Sequence, residues 1–185
     1  MLEEVNKTIK ILKQGGIILY PTDTIWGIGC DANNREAVLK IYNLKKRAKS
    51  QALIILIAEY ANLYKLMHQV PPSAYNEMHD KKPTTVIFED VTSIAKEVSA
   101  KDKSTAIRLV KDEFCKQLIF QLGNPLVSTS ANISGENNPT IFSEISEEII
   151  KNVDYVVNLR KEEIMKNPSR IIKINKDGVK INIRN

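Results

Sequence analysis

The stretch Gly123-Asn124-Pro125-Leu126-Val127-Ser128-Thr129-Ser130-Ala131-Asn132-Ile133-Ser134-Gly135 passes from a short apolar run into a series of small polar residues. Residues 125–127 predict a buried strand, and four of the next six positions carry a hydroxyl or an amide. Small polar side chains directly after a buried strand supply hydrogen bonds without filling the space that a ligand needs. A turn whose side chains bond only their own backbone is the alternative. The choice between the two depends on stretches upstream.

Outward from this stretch, apolar runs typical of strands alternate with segments that have the apolar spacing of helices. Strands are predicted at residues 17–20, 52–58, 84–88, 105–110, 125–127, 155–159, 169–174 and 179–184. Helices are predicted at residues 3–14, 59–68, 73–79, 112–122 and 143–153, and a further helix is predicted from a cap at Asn33 or Asn34 to about Lys46. The segment 22–31 between the first strand and the second helix is predicted to be a loop. This interleaving favours an α/β fold in which helices flank a twisted mixed sheet.

Length and composition restrict the class of protein. A chain of 185 residues with 43% hydrophobic and 26% charged residues is typical of one globular domain, here residues 1–185. The longest apolar run, residues 52–58, is too short to cross a bilayer, and residues 1–4 lack the features of an export leader. The only two cysteines lie in unrelated contexts, which favours reduced thiols and a cytoplasmic protein. The net charge of +5 is compatible with anionic ligands such as nucleotides or RNA.

The polar segments at the strand ends lack the residues of several common enzyme classes. His68 and His79 lie far in sequence from these segments, so a Ser-His-Asp hydrolase is poorly supported. The chain has neither the ligand spacing of a zinc site nor a P-loop. Arg108 lies within an apolar strand, where it either faces solvent at an edge or pairs with a bound anion or an acidic side chain. Cations with hydroxyls and without a nucleophile suit chemistry on an activated phosphate.

Three motifs in order carry a resemblance to a known family. They are residues 21–31 (PTDTIWGIGCD), Lys45-x-Arg47, and Ser130-x-Asn132 within residues 125–135 (PLVSTSANISG). With these three motifs, the chain resembles the YrdC family of L-threonylcarbamoyladenylate synthases, of the short single-domain bacterial type. The resemblance extends from Gly15 to Arg184. Departures from the common pattern include Ala48, where many members have proline after the arginine, and residues 80–85 (DKKPTT) in place of Trp-Pro-Gly-Pro-x-Thr.

The resemblance implies a YrdC-like fold and an enzyme that makes threonylcarbamoyl-AMP and pyrophosphate from L-threonine, bicarbonate and ATP. Mg²⁺ would be carried mainly by the ATP phosphates, with no metal site built by the protein. The residues expected near threonine are Thr24, Arg108, Ser128 and Ser169. The residues expected near ATP are Lys45, Arg47, Ser130, Asn132 and Arg184. Lys45, Arg47 and Arg108 are the expected catalytic cations, and the first two are predicted at an exposed helix end.

The product is expected to feed the N6-threonylcarbamoyl modification of adenosine 37 in tRNA, through a downstream transferase machinery. Another interpretation is a non-catalytic module of the same fold that binds double-stranded RNA or tRNA, mostly through phosphate contacts. The low aromatic content of 6% and the absence of an RNP-like platform count against it. A third interpretation is a protein-interaction subunit that keeps the fold without turnover.

Overall fold

The computed structural model describes residues 1–48 and 51–185, and within them a nine-stranded mixed sheet carries helices on both sides. The helices are α1 (Leu2–Lys13), α2 (Arg35–Leu44), α3 (Leu63–Leu66), α4 (Ser73–His79), α5 (Glu113–Leu122) and α6 (Glu147–Asn152). The strands are β1 (Ile18–Tyr20), β2 (Gly27–Gly29), β3 (Ile54–Ile57), β4 (Thr84–Phe88), β5 (Thr105–Leu109), β6 (Leu126–Ser130), β7 (Tyr155–Val156), β8 (Arg170–Ile174) and β9 (Lys180–Arg184). The predicted α/β class is confirmed.

The strand order is β7-β1-β2-β6-β3-β5-β4-β8-β9. The pairs β1–β7, β3–β5 and β4–β8 are parallel, and the other neighbours are antiparallel. Strand β6 therefore lies near the middle of the sheet, hydrogen-bonded to β2 on one side and β3 on the other. Its polar residues are placed beside strands from distant parts of the chain.

The prediction of a loop over residues 22–31 is wrong in part, because β2 lies within it. Gly29 allows this strand to approach its neighbours closely. A Cβ atom at that position would lie 2.6 Å from Cε1 of Tyr20, and closer still to the carbonyl oxygen of Val127. The Tyr20 hydroxyl donates to the same carbonyl over 3.1 Å, which ties β1 to β6 across the glycine strand.

Strand β6 is longer than predicted and includes Ser128, Thr129 and Ser130. Ser128 pairs with Ile54 of β3, and Ser130 pairs with Gly27 of β2. The neighbouring strands satisfy the backbone of this segment, so its small side chains remain in regular strand geometry. The hydroxyls therefore project from a sheet and not from a loop.

Capping residues determine where α2 begins and where α5 begins and ends. Asn34 accepts from the backbone N–H of Ala37 and begins α2, and Asp112 accepts from that of Cys115 and begins α5. Gly123 ends α5 in the left-handed conformation at φ 77°. The predicted helices 59–68 and 143–153 are each divided, with a 3-10 turn before the short helices α3 and α6.

Two apolar clusters fill the two sides of the sheet. The larger one includes Trp26, Tyr42 and Phe88, and the smaller one packs α1 against α5 through residues such as Leu12 and Leu118. Both cysteines are free and buried, and burial raises the pKa of each thiol. In the described part of the chain, every helix is too short or too polar to span a lipid bilayer.

Candidate active site

A cavity of about 290 Å³ opens on one face of the sheet, where strands from both halves of the chain meet. Its lining includes seven of the nine residues selected from the sequence: Thr24, Arg47, Arg108, Ser128, Ser130, Ser169 and Arg184. The other two, Lys45 and Asn132, are buried directly beside it through contacts to Ser130. The structure thus brings the predicted set to one place.

Arg108 is buried on β5, with 3% of its surface exposed. Its Nη2 lies 3.0 Å from Oδ1 of Asp23 and 3.4 Å from Oγ1 of Thr22. The solvent-facing edge position left open by the sequence is excluded, because β5 is an inner strand and the arginine has an acidic partner. Its Nε is buried and has no hydrogen-bond partner within the described residues.

Residues 21–25 form a tight loop organised by Thr22. The Thr22 hydroxyl donates to the carbonyl of Ile25 over 2.8 Å and accepts from the backbone N–H of Thr24. It is also hydrogen-bonded to the hydroxyl of Thr24 over 3.0 Å. Arg160 holds the loop from outside by donating to the carbonyl of Thr22 over 3.1 Å. The loop therefore presents Thr24 to the cavity with its backbone fixed.

Lys45 is not at an exposed helix end, which corrects the prediction. Only 1% of its surface is exposed, and its Nζ donates to the carbonyls of Ser130 and Asn132. The Asn132 side-chain oxygen lies 3.4 Å from the same nitrogen and accepts from the Ser130 hydroxyl over 2.5 Å. The helix end is covered because the turn after β6 lies across it, and Ser134 N–H donates to the Lys45 carbonyl.

Burial lowers the pKa of Lys45 to about 7, and the nearby charge of Arg47 acts in the same direction. Arg47 itself is partly buried and lines the cavity, with Nη2 donating to the carbonyl of Ala52 over 2.9 Å. Burial lowers the pKa of Arg47 as well. Of these two cations, Arg47 is the one that faces the cavity, while Lys45 supports the turn behind it.

The far wall of the cavity comes from the C-terminal hairpin. Arg184 on β9 donates to the carbonyl of Ser169 from Nε at 3.2 Å and from Nη2 at 2.8 Å. The Ser169 hydroxyl is buried and hydrogen-bonded to that of Thr85 over 2.7 Å. Partial burial of the guanidinium lowers the pKa of Arg184, and the charge of Arg108 contributes to the same shift. The positive charge of Arg108 therefore acts on Arg184 across the cavity.

Sequence reasoning missed several parts of the site. Asp23 lies inside the motif of residues 21–31, and no role in the site was assigned to it from the sequence. An acidic partner for Arg108 was expected only as one of several alternatives. The apolar floor could not be distinguished from core, because its residues alternate along ordinary strands: Ile54, Ile87, Ala106 and Ile171. Trp26 also lines the cavity, and its ring lies 5.1 Å from that of Phe142.

Within residues 1–48 and 51–185, no group of three or more His, Cys, Asp or Glu side chains is placed to hold a metal ion. Among the described residues, the charged groups that line the cavity are the cations of Arg47, Arg108 and Arg184. Together with the hydroxyls they can bind carboxylate and phosphate oxygens. The fold and site define an α/β protein whose cavity suits anionic reactants.

The sequence model of the Sua5/YciO/YrdC family, described as "Telomere recombination", matches residues 10–185. The chain belongs to this family, and the predicted resemblance is confirmed. The threonylcarbamoyl-AMP synthase of Saccharophagus degradans is 35% identical over 134 residues, covering 71% of this chain and 70% of the relative. A putative threonylcarbamoyl-AMP synthase of Methanocaldococcus jannaschii is 35% identical over 171 residues, covering 86% and 77%.

Solved structures agree on the fold. E. coli YciO superposes with a TM-score of 0.83 at 21% identity, covering 100% of this chain and 89% of that one. P. abyssi Sua5 complexed with L-threonine superposes with a TM-score of 0.82 at 23% identity, covering 91% of this chain. This chain spans 50% of the length of that Sua5 chain.

Proposed function

We propose that the chain is an L-threonylcarbamoyladenylate synthase, which forms threonylcarbamoyl-AMP and pyrophosphate from L-threonine, bicarbonate and ATP. The names of the curated relatives support this activity. The observation that carries the proposal is the convergence of Arg47, Arg108 and Arg184 on one hydroxyl-lined cavity. The two species that react, the threonine carbamate and ATP, are anionic, and such a site lowers their repulsion while holding them in line. Residues 1–185 would act as one YrdC-like domain.

The threonine end of the cavity would be at Arg108 and Thr24. An arginine with unused donors is a suitable partner for the threonine carboxylate, and the hydroxyls of Thr24, Ser128 and Ser169 would orient the rest of the amino acid. The threonine amine then captures bicarbonate, releasing water, or CO₂, releasing a proton. The product of this step is a carbamate.

The ATP end would be at Arg47, Ser130 and Arg184. One carbamate oxygen attacks the α-phosphorus of ATP, forms the new P–O bond and expels pyrophosphate, which carries away the bonding electron pair. Arg47 and Arg184 would neutralise charge on the triphosphate as it develops. Lys45 and Asn132 would contribute mainly by fixing the turn that carries Ser130. Mg²⁺ would enter with ATP, held by phosphate oxygens and water.

The product would be used in the cytoplasm by a transferase machinery that modifies tRNA. The rival interpretation, a non-catalytic module that binds double-stranded RNA or tRNA, gains no support from the curated relatives, which are named as synthases. A pure RNA binder would also have little use for a buried arginine at the bottom of a cavity.

The test is pyrophosphate release from ATP, Mg²⁺ and bicarbonate, with and without L-threonine. We expect release that depends on threonine and falls at least about a hundredfold in Arg47→Ala, because a charge contact to the reacting phosphates is lost. Arg35→Ala is the matched control, since Arg35 begins α2, the helix that precedes Arg47, and pairs with Glu97 over 2.6 Å on the surface. Release without threonine, or equal activity in Arg47→Ala, would contradict the proposal.

A further inference from the structure

Asp23 lies beside the cavity with Oδ2 hydrogen-bonded and with Oδ1 in an ion pair that does not meet hydrogen-bond geometry. Oδ1 lies 3.0 Å from Nη2 of Arg108, and Oδ2 accepts from the backbone N–H of Lys111 over 3.1 Å. The side chains of Arg108 and Asp23 are 4% and 10% exposed. Lys111 follows directly after β5, so the carboxylate is locked between the strand that carries Arg108 and the loop that carries Thr24.

The contacts to Asp23 and Thr22 restrict where the guanidinium of Arg108 can lie. A guanidinium is planar and its donors form a rigid fork, so fixing one nitrogen against a locked carboxylate restricts the whole group. Nη2 is held by Asp23 and Thr22, while Nε is buried without a hydrogen-bond partner among the described residues. A guanidinium with a donor left unpaired gains from an acceptor that a ligand supplies.

The charge of Asp23 matters as much as its position. Arg108 is surrounded by the apolar floor of the cavity and shares its field with Arg184, so a single buried cation there would be unfavourable. Asp23 balances this charge before a substrate arrives. It contacts Arg108 without belonging to the cavity lining that includes Thr24 and Arg108, so it acts on a substrate through the arginine.

We propose that Asp23 is a positioning residue, which holds Arg108 so that the guanidinium meets the carboxylate of an α-amino acid substrate. The inference rests on the proposed function, since it takes L-threonine as the substrate with that carboxylate. Asp23 sets the orientation of the arginine, and Arg108 makes the contact.

The test compares Asp23→Asn with wild type in L-threonine binding by calorimetry and in the KM values for L-threonine and ATP. Asparagine keeps an acceptor for the Lys111 N–H and removes the charge. We expect threonine to bind about tenfold more weakly with a parallel rise in its KM, while the KM for ATP changes less than about twofold, because only the carboxylate contact is misaligned. L-Threoninamide, which lacks the carboxylate, should lose much less affinity.

Glu77→Gln is the matched control. It removes the charge from a partly buried pair of the same type, Glu77 with Arg170 at 2.6 Å and side-chain exposures of 17% and 19%, neither of which lines the cavity. We expect it to lower the melting temperature without changing threonine affinity.

The inference is overturned if Asp23→Asn lowers only the melting temperature, or if threonine and threoninamide lose affinity equally. It is also overturned if the wild-type chain binds no L-threonine. A wild-type chain that binds threonine without releasing pyrophosphate would refute the proposed reaction alone, and the calorimetry would still decide the role of Asp23.

Discussion

Lys45 and Arg47 are two positions apart and carry the same charge, yet the structure uses them differently. The lysine Nζ is surrounded by oxygens of the turn after β6, and the arginine lines the cavity. The chain changes direction between them, because α2 ends at Leu44 and Lys46 adopts a left-handed φ of 51°. From the sequence the two could only be treated as one cationic motif.

Replacement of Lys45 by methionine should therefore affect the fold before it affects substrate binding. The carbonyls of Ser130 and Asn132 would lose a buried donor, and we expect unfolding free energy to fall by about 3 kcal/mol. Arg47→Ala, with a partly exposed side chain, should cost about 1 kcal/mol or less. Urea unfolding of both variants measures this, and equal stability losses would contradict the assignment of Lys45 as a support.

At the scale of helices and strands, the sequence predicted correctly those element bounds that nearby residues determine. The bounds of α2 and α5 agree within two residues, because Asn34, Asp112 and Gly123 are visible capping residues. Strand β2 was missed because three residues with two glycines carry no strand signal, and its pairing depends on β1 and β6, which are distant in sequence. The divided helices were missed because an apolar stripe does not show where a 3-10 turn replaces an α-turn.

For the candidate site too, the sequence showed the residues that stand in motifs and did not show those that depend on which strands are neighbours. The cations and hydroxyls were identified from motifs, because polar residues after apolar runs stand out in a sequence. The partner of Arg108 and the apolar floor depend on which strands become neighbours, and tertiary structure alone determines that. Asp23 is 85 positions from Arg108 (108 − 23), and only the order of the strands makes them adjacent.

The close packing around β2 gives a prediction at this scale. Gly29→Ala should reduce the free energy of unfolding by about 3 kcal/mol, because the new methyl group overlaps the Val127 carbonyl and the Tyr20 ring. Gly27→Ala is the control on the same strand, since its Cβ would lie 3.2 Å from the Ser128 hydroxyl and has room to adjust. Thermal and urea unfolding compare them. A Gly29→Ala variant as stable as Gly27→Ala would show that β6 can move away from β2.

At the scale of the whole molecule, the cavity exists because the sheet order brings distant segments together. Thr24 near the start of the chain, Arg108 in its middle and Arg184 near its end line one cavity. The outermost strand, β9, has exposed residues throughout and is hydrogen-bonded only to β8 in the described sheet. A strand that contributes little to the core thus supplies Arg184 to the cavity. The position of this arginine therefore depends on the hairpin of β8 and β9.

Arg184 should therefore matter for ATP and little for stability. We expect Arg184→Ala to raise the KM for ATP about tenfold, because a charge contact to phosphate is lost, while the melting temperature falls by no more than about 3 °C. Lys180→Ala is the matched control at the other end of β9, where Lys180 pairs with Glu77 over 2.8 Å. It should leave the KM for ATP unchanged. If both variants raise that KM equally, the effect comes from loosening the hairpin, and Arg184 has no direct part in binding the nucleotide.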